Sequence, residues 1–273
     1  MMWVMRKRWR WLVGIAAVVV VLAVGAPFAY IHFIEGPPPP KLTLPVTHST
    51  TTARGSGTTS DVDGVGGTYH VGSGSEAGYR VTEVLVGQNS TAVGRTTKIW
   101  GSVTISGASV TAGTVTVDMA SVESDQSERN AQFDSRIMDV AQYPTATLKL
   151  TAPIALGTVP SVGSTVTYTA IGDLTMHGVT RKVTFPLTAE RTADGIDALA
   201  DVPIVFADWD IANPSVGGFV TTDSSGTLEV LVNLTKGAGN SAASGSGSSS
   251  VSGGGGPVTV PKTTVPKITI PAS

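Results

Sequence analysis

The chain has 273 residues, no cysteine and a formal net charge of −2. Without cysteine there can be no disulfide, thiolate nucleophile, cysteine-rich zinc site or lipid attachment through a thiol. Between Gly64 and Lys236, 17 acidic residues face 10 basic ones, so no basic face exists for nucleic acid and no nucleic-acid partner is expected.

Residues 1–11 form a basic segment carrying Arg6, Lys7, Arg8 and Arg10. Leu12 to Ile34 is an apolar run of 23 residues, interrupted only by small residues, Pro27, Tyr30 and His32. As a helix it would span roughly 35 Å, enough to cross a bilayer core. Trp9, Trp11 and Tyr30 flank it where interfacial aromatics belong, and the preceding cations put the N-terminus in the cytoplasm. The expectation is a single-pass anchor in the cell membrane, residues 12–34, with everything after it extracytoplasmic. A signal peptide cleaved near Ala23-Val24-Gly25 is the competing reading. Pro37 to Pro40 favour extended polyproline backbone, so residues 35–66 read as a stalk, stiff at its base and then rich in Thr, Ser and Gly.

Residues 67–236 read as one all-β domain. Nine candidate strands lie at Gly67–Val71, Tyr79–Val86, Lys98–Ile105, Gly113–Met119, Thr145–Thr151, Ser164–Met176, Val179–Glu190, Ile196–Ala207 and Thr227–Thr235. In the last, Leu228, Val230, Val232 and Leu234 alternate with Thr227, Glu229, Asn233 and Thr235. A short helix is expected at Asp125–Ile137, with Arg129, Phe133 and Ile137 on one face. Many strands at short spacing mean a barrel or a sandwich, and spacing alone does not choose. Residues 237–273 are Ser/Gly repeats followed by Val-Pro and Ile-Pro units, a low-complexity tail expected to be disordered.

The clearest local signal is Gly172 to Phe185. Leu174 and Met176, then Val179, Val183 and Phe185, alternate with polar residues on either side of His177-Gly178. That is a β-hairpin with a two-residue turn, in which Met176 should face Val179 and Asp173 should face Lys182. Arg181 falls on the apolar face and must reach water or a partner, either because the hairpin protrudes or because a head group meets it at a mouth. His177 and His70 are the only histidines in the core, too few for a metal argument. Asp208 and Asp210 share a strand face and could be paired acids, or simply exposed. Nucleophile-elbow, zinc-protease, phosphate-loop and dinucleotide motifs are all missing, and no cofactor or metal is expected.

The hairpin resembles the signature hairpin of the YceI-like family. Upstream, Ala120-Ser121-Val122-Glu123-Ser124 precedes Glu128-Arg129-Asn130-Ala131-Gln132-Phe133 and then Tyr143-Pro144. That order is similar to the family's strand ending near a serine, short arginine-bearing helix, and tyrosine-proline before a new strand. Downstream, Phe206-Ala207-Asp208-Trp209-Asp210-Ile211 looks like its late aromatic strand. Two departures stand out: Tyr69 where the family usually has a tryptophan, and no histidine in the second strand. The resemblance implies an antiparallel eight-stranded lipocalin-like barrel with a short helix, holding an isoprenoid lipid. It makes Arg129, Tyr143, Pro144, His177 and Gly178 family-motif residues, with Arg129 pinning the helix across the barrel mouth.

The expected function is therefore membrane-anchored binding of an apolar ligand, a polyisoprenoid or quinone-like molecule. Candidate lining residues are Met119, Phe133, Met138, Leu174, Met176, Phe185, Phe206, Trp209 and Phe219. The alternatives are a filled barrel serving as a structural or interaction module, and a hydrolase using Asp208 and Asp210 or His177. A homodimer is kept open.

Overall fold

Thr and Val are abundant through residues 67–236, and their β-branched side chains favour pleated backbone. The computed structural model describes residues 37–45, 64–85, 87–215 and 220–237, together with Val19. The segment expected to cross a membrane otherwise lies outside the described residues, as do Phe219 and residues 238–273. Among the described residues no helix is long and apolar enough to cross a membrane.

The strand segments are Gly67–Val71 (β1), Glu76–Leu85 (β2), Gln88–Thr96 (β3), Ile99–Ser106 (β4), Ser109–Asp118 (β5), Glu123–Ser124 (β6), Thr145–Leu150 (β7), Ile154–Ala155 (β8), Thr165–Met176 (β9), Val179–Arg191 (β10), Gly195–Val205 (β11), Val220–Thr222 (β12) and Ser225–Thr235 (β13). All the pairings between them are antiparallel. The ring runs β1, β4, β5, β7, β9, β10, β11, β13 and returns to β1 through His70 opposite Thr235 and Val71 opposite Leu234. β1 and β2 act as one bent strand, because β2 pairs with the other half of β13, from Thr227 to Leu231. β3 and β4 form the next bent strand, with β3 alongside β2. The result is the eight-stranded barrel, with β6, β8 and β12 as short additions to β3, β5 and β2.

Period-two alternation fills the inside. In β13, Val232 and Leu234 are buried in the core; in β9, Ala170, Leu174 and Met176 are. β3 is a strand that local pattern does not announce. Its Gln, Asn, Ser, Thr and Gly read as loop, and consecutive Ala92 and Val93 are both buried, so alternation is lost. Instead of one helix over Asp125–Ile137, the chain forms a helix at Ser127–Gln132 (α1) followed by a π-turn at Phe133–Ile137. Here the amide of Met138 donates to the carbonyl of Phe133 at 2.9 Å.

The hairpin between β9 and β10 has the expected register, Met176 opposite Val179 and Asp173 opposite Lys182. His177 (φ 50°) and Gly178 (φ 75°) both take positive φ, which matches the right-handed strand twist. Arg181 is exposed and donates from Nε to the carbonyl of Asp208 at 2.8 Å, so the hairpin end projects and its cation meets backbone at the surface.

Outside the barrel, one carboxylate is more buried than most of the core. Leu228 and Val230 pack inward, so Glu229 points outward, yet it is only 1% exposed. Arg80 of β2 and Arg95 of β3 each reach it at 2.7 Å. Gly78, directly opposite Glu229 and next to Arg95, adds no side chain to the space between them. Arg80 also donates from Nη2 to the carbonyl of Pro39 (2.8 Å), and Arg95 donates from the Nη2 that holds Glu229 to the carbonyl of Pro40 (2.6 Å) and from Nη1 to Glu76 (3.4 Å). The base of the segment read as a stalk therefore lies against the barrel wall. Proline suits this contact, since it offers a carbonyl acceptor without a competing N–H.

A second buried carboxylate, Asp197 of β11, lies opposite Asn233, which donates to it at 2.9 Å. Burial, and then Glu190 on β10, hold its pKa above the ordinary 3.8. Ionisation is thus harder in the folded state, so stability is lost as pH rises through the folded pKa. Asp197→Asn should be more stable than the parent at pH 7, with the urea midpoints converging below pH 4. Glu229→Gln should cost about 3 kcal/mol in urea unfolding, because Arg80 loses its counter-charge and Arg95 keeps only the partly exposed Glu76.

Candidate ligand-binding site

The inward faces of β2, β5, β7, β9, β11 and β13 do not meet in the middle. They enclose a cavity of about 380 Å³ in the half of the barrel nearer the helix. Val117, Leu148, Leu174, Val202 and Leu228 are among its wall residues. Met119, Phe133, Ile137 and Met138, from the segment between β5 and β7, roof it, with Phe206 and Ile211 from beyond β11. Such a space suits a mostly apolar molecule.

Polar groups gather at the mouth. Glu83 of β2 points inward and is 6% exposed. Arg129 of α1 reaches it at 3.0 Å, and also binds Asp125 at 2.6 Å. One guanidinium thus ties the helix to both the barrel wall and its own N-terminal approach. Burial alone would lower the Arg129 pKa, but Glu83, Asp125 and Tyr79 outweigh it and hold it above its ordinary value. Beside this pair, Tyr79 stacks on Phe133 with ring centroids 5.3 Å apart and planes 15° off parallel. The Tyr79 ring stands where a side chain at Gly94 would otherwise project. Burial, opposed by Arg129, pushes the Tyr79 hydroxyl up to about 12, so it remains neutral at physiological pH. Glu128, Gln126 and Gln132 complete this polar rim.

Met119, Phe133, Met138, Leu174, Met176 and Phe206 all border the cavity. Phe185 and Trp209, also expected there, do not. Phe185 is inward-facing but lies deeper along the barrel, opposite Ala170. Trp209 is 2% exposed and wedged at the barrel end, its indole N–H donating to the carbonyl of Leu174 at 3.2 Å. The residues from Phe206 to Trp209 form a 3-10 turn rather than the end of a strand, which rotates Trp209 away from the lumen. Phe219 lies outside the described residues. Tyr79 and Glu83 were not expected to contribute. Their inward parity was readable from the alternation in β2, but a buried Glu gives no sign of its partner.

The family-motif residues divide between two jobs. Arg129 sits at the mouth. Tyr143, Pro144, His177 and Gly178 form a latch beside the cavity. Tyr143 meets His177 edge-on with centroids 4.9 Å apart and also packs on Gly178. Nδ1 of His177 lies 3.0 Å from the carbonyl of Trp209, and the carbonyl of Pro144 accepts from the amide of Met119 at 2.9 Å. The latch ties the hairpin turn to the 3-10 turn and positions a cavity residue from behind. Asp208 and Asp210 are exposed on that turn and border no part of the cavity. Among the described residues, no cluster of His, Asp or Glu could hold a metal ion.

Three similar solved structures are a polyisoprenoid-binding domain from Saccharophagus degradans, BcnA from Burkholderia cenocepacia and a YCEI protein from Campylobacter jejuni. The first shows 15% identity and a TM-score of 0.48 over 62% of this chain and 98% of its own. The second shows 21% and 0.44 over 58% and 96%, and the third 16% and 0.39 over 52% and 83%. No curated protein matches the chain. Residues 69–234, more than half of the chain, match the YceI-like domain. The chain therefore belongs to the family of YceI-like domain proteins.

Proposed function

We propose that the barrel binds a long apolar, lipid-like molecule, with a polyisoprenoid or quinone-like chain as the class that suits it best. The observation that carries this reading is the cavity of about 380 Å³ with apolar walls and a polar rim at one end only. A filled barrel acting as a structural module would lack such a space. Binding would be driven by removing apolar ligand surface from water, about 0.8 kcal/mol per buried methylene, less the cost of ordering a flexible chain. Met119, Met138 and Met176 suit such a guest, since thioether side chains repack around irregular shapes. The rim would keep a polar head outside while the tail enters. Membership in the YceI-like family supports the isoprenoid class. The function proposed is one of carriage, without bond-breaking chemistry.

The N-terminal run from Leu12 to Ile34 supports a protein tethered to a membrane by a single helix with the barrel on the extracytoplasmic side. Such a tether would keep the barrel close to a source of apolar guests.

Native mass spectrometry of the full chain after mild detergent extraction should detect a bound lipid that organic solvent displaces; protein found only empty would count strongly against the reading. Val117→Phe, which pushes a ring into the cavity, should weaken binding of an all-trans prenyl alcohol at least about tenfold while leaving the melting transition cooperative. At the rim, Arg129→Leu should cost about 3 kcal/mol by stranding Glu83, and adding Glu83→Gln should return most of it. Urea unfolding of the single and double variants measures both.

A further inference from the structure

The barrel interior holds a second apolar space, of about 100 Å³, towards the other end. Val103, Val110, Leu150, Tyr168 and Leu187 line it, and none of its lining residues borders the larger cavity. The order along the strands shows what lies between. On β9, Tyr168 borders the small chamber and Leu174 the large one, with Ala170 and Gly172 inward between them. On β11 the sequence is Ile196, then Ala198 and Ala200, then Val202; on β5 it is Val110, Gly113, Val115. On these three strands the waist is walled by small residues, while Val183 of β10 and Val232 of β13 bring larger buried side chains to the same layer. Phe185 of β10 projects into it opposite Ala170, is 3% exposed and borders neither chamber.

We propose that Phe185 is the floor of the ligand chamber, a septum whose ring splits one long lumen in two and so sets the length of chain the protein accepts. Ala170 and Gly172 on β9 leave room for the ring, which is bulkier than Val183 and Val232 in the same layer. A chain entering past Arg129 would bury methylenes until its end meets the ring; further methylenes would stay outside. Removing the ring would join the chambers into a lumen that admits a longer chain. For the prenyl class this inference rests on the proposed function, but the length limit holds for any apolar chain.

The test measures affinity of the full chain for two series of increasing length, saturated n-alkanols and all-trans prenyl alcohols. In the parent, affinity should rise about fourfold per methylene and then reach a plateau. In Phe185→Ala the plateau should move to longer chains, and Phe185→Leu, a milder change that protects the fold, should move it less. Adding Val103→Phe to Phe185→Ala, which fills the small chamber from its own wall, should restore the parent's limit. A parent with no plateau, or a plateau unmoved in folded variants of Phe185, would overturn the septum. Alkanols that bind with a movable limit while prenyl alcohols do not bind would uphold the septum and refute the isoprenoid class. If neither series binds any of these proteins, both fall together.

Discussion

The barrel closes where one bent strand, β1 then β2, pairs with both halves of β13, through His70 with Thr235 and Val71 with Leu234 at one end and Thr227 to Leu231 at the other. β13 can pair with β1 at one end and with β2 at the other only because the first strand bends between Val71 and Glu76. Ser75 secures this bend, its hydroxyl donating to the carbonyl of Gly72 and accepting from the amide of Asn233. The same bend separates the wall of the large cavity from the rest of the barrel. Beyond it, β3 pairs with β2 and β6 rather than with β5, and the segment from Met119 to Pro144 fills the gap. Closure at one end and divergence at the other follow from one change of strand direction. The cavity exists because strands that diverge cannot bring their inward side chains into contact.

The two buried glutamates solve the same problem in opposite places. Glu229 faces outward and Glu83 inward, and each is held by arginine. Arginine suits this role because its planar fork can bond a carboxylate and a second acceptor at once. At Glu229 the second acceptors are proline carbonyls of the N-terminal segment; at Glu83 the second acceptor is Asp125 beside the helix. In each case a charge on the sheet ties down a segment outside the strands. α1 has no buried residue, so its position over the mouth depends on Arg129, on Asn130, which accepts from Ser124 of β6, and on Phe133 just beyond it. The lid is therefore attached through polarity, and the chamber beneath it is left to apolar contacts.

The hairpin of β9 and β10, most of the strands, the helix position and the family were all legible in the chain. Each depends on local rules: period-two alternation, a two-residue turn with glycine, and the spacing of a few motif residues. β3 escaped because its two faces are both buried for part of its length, which erases alternation. The π-turn escaped because a one-residue widening of a helix leaves the spacing of Phe133 and Ile137 unchanged.

Parity along a strand told which side chains point inward, among them Leu174, Met176 and Phe185. It could not tell which of them face empty space, because that depends on what approaches from other strands across the lumen. Leu174 and Met176 lie where the strands diverge and so border the cavity; Phe185 lies at the waist, where alanines and glycines on neighbouring strands let its ring fill the layer. Nor could sequence distance reveal that Arg129 would meet Glu83, 46 residues away, or that Arg80 and Arg95 would meet Glu229 and the carbonyls of Pro39 and Pro40. Local backbone preference and hydrophobic parity determined the strands and their faces. Strand order and bending in three dimensions decided where those faces part, and only that separation makes a cavity.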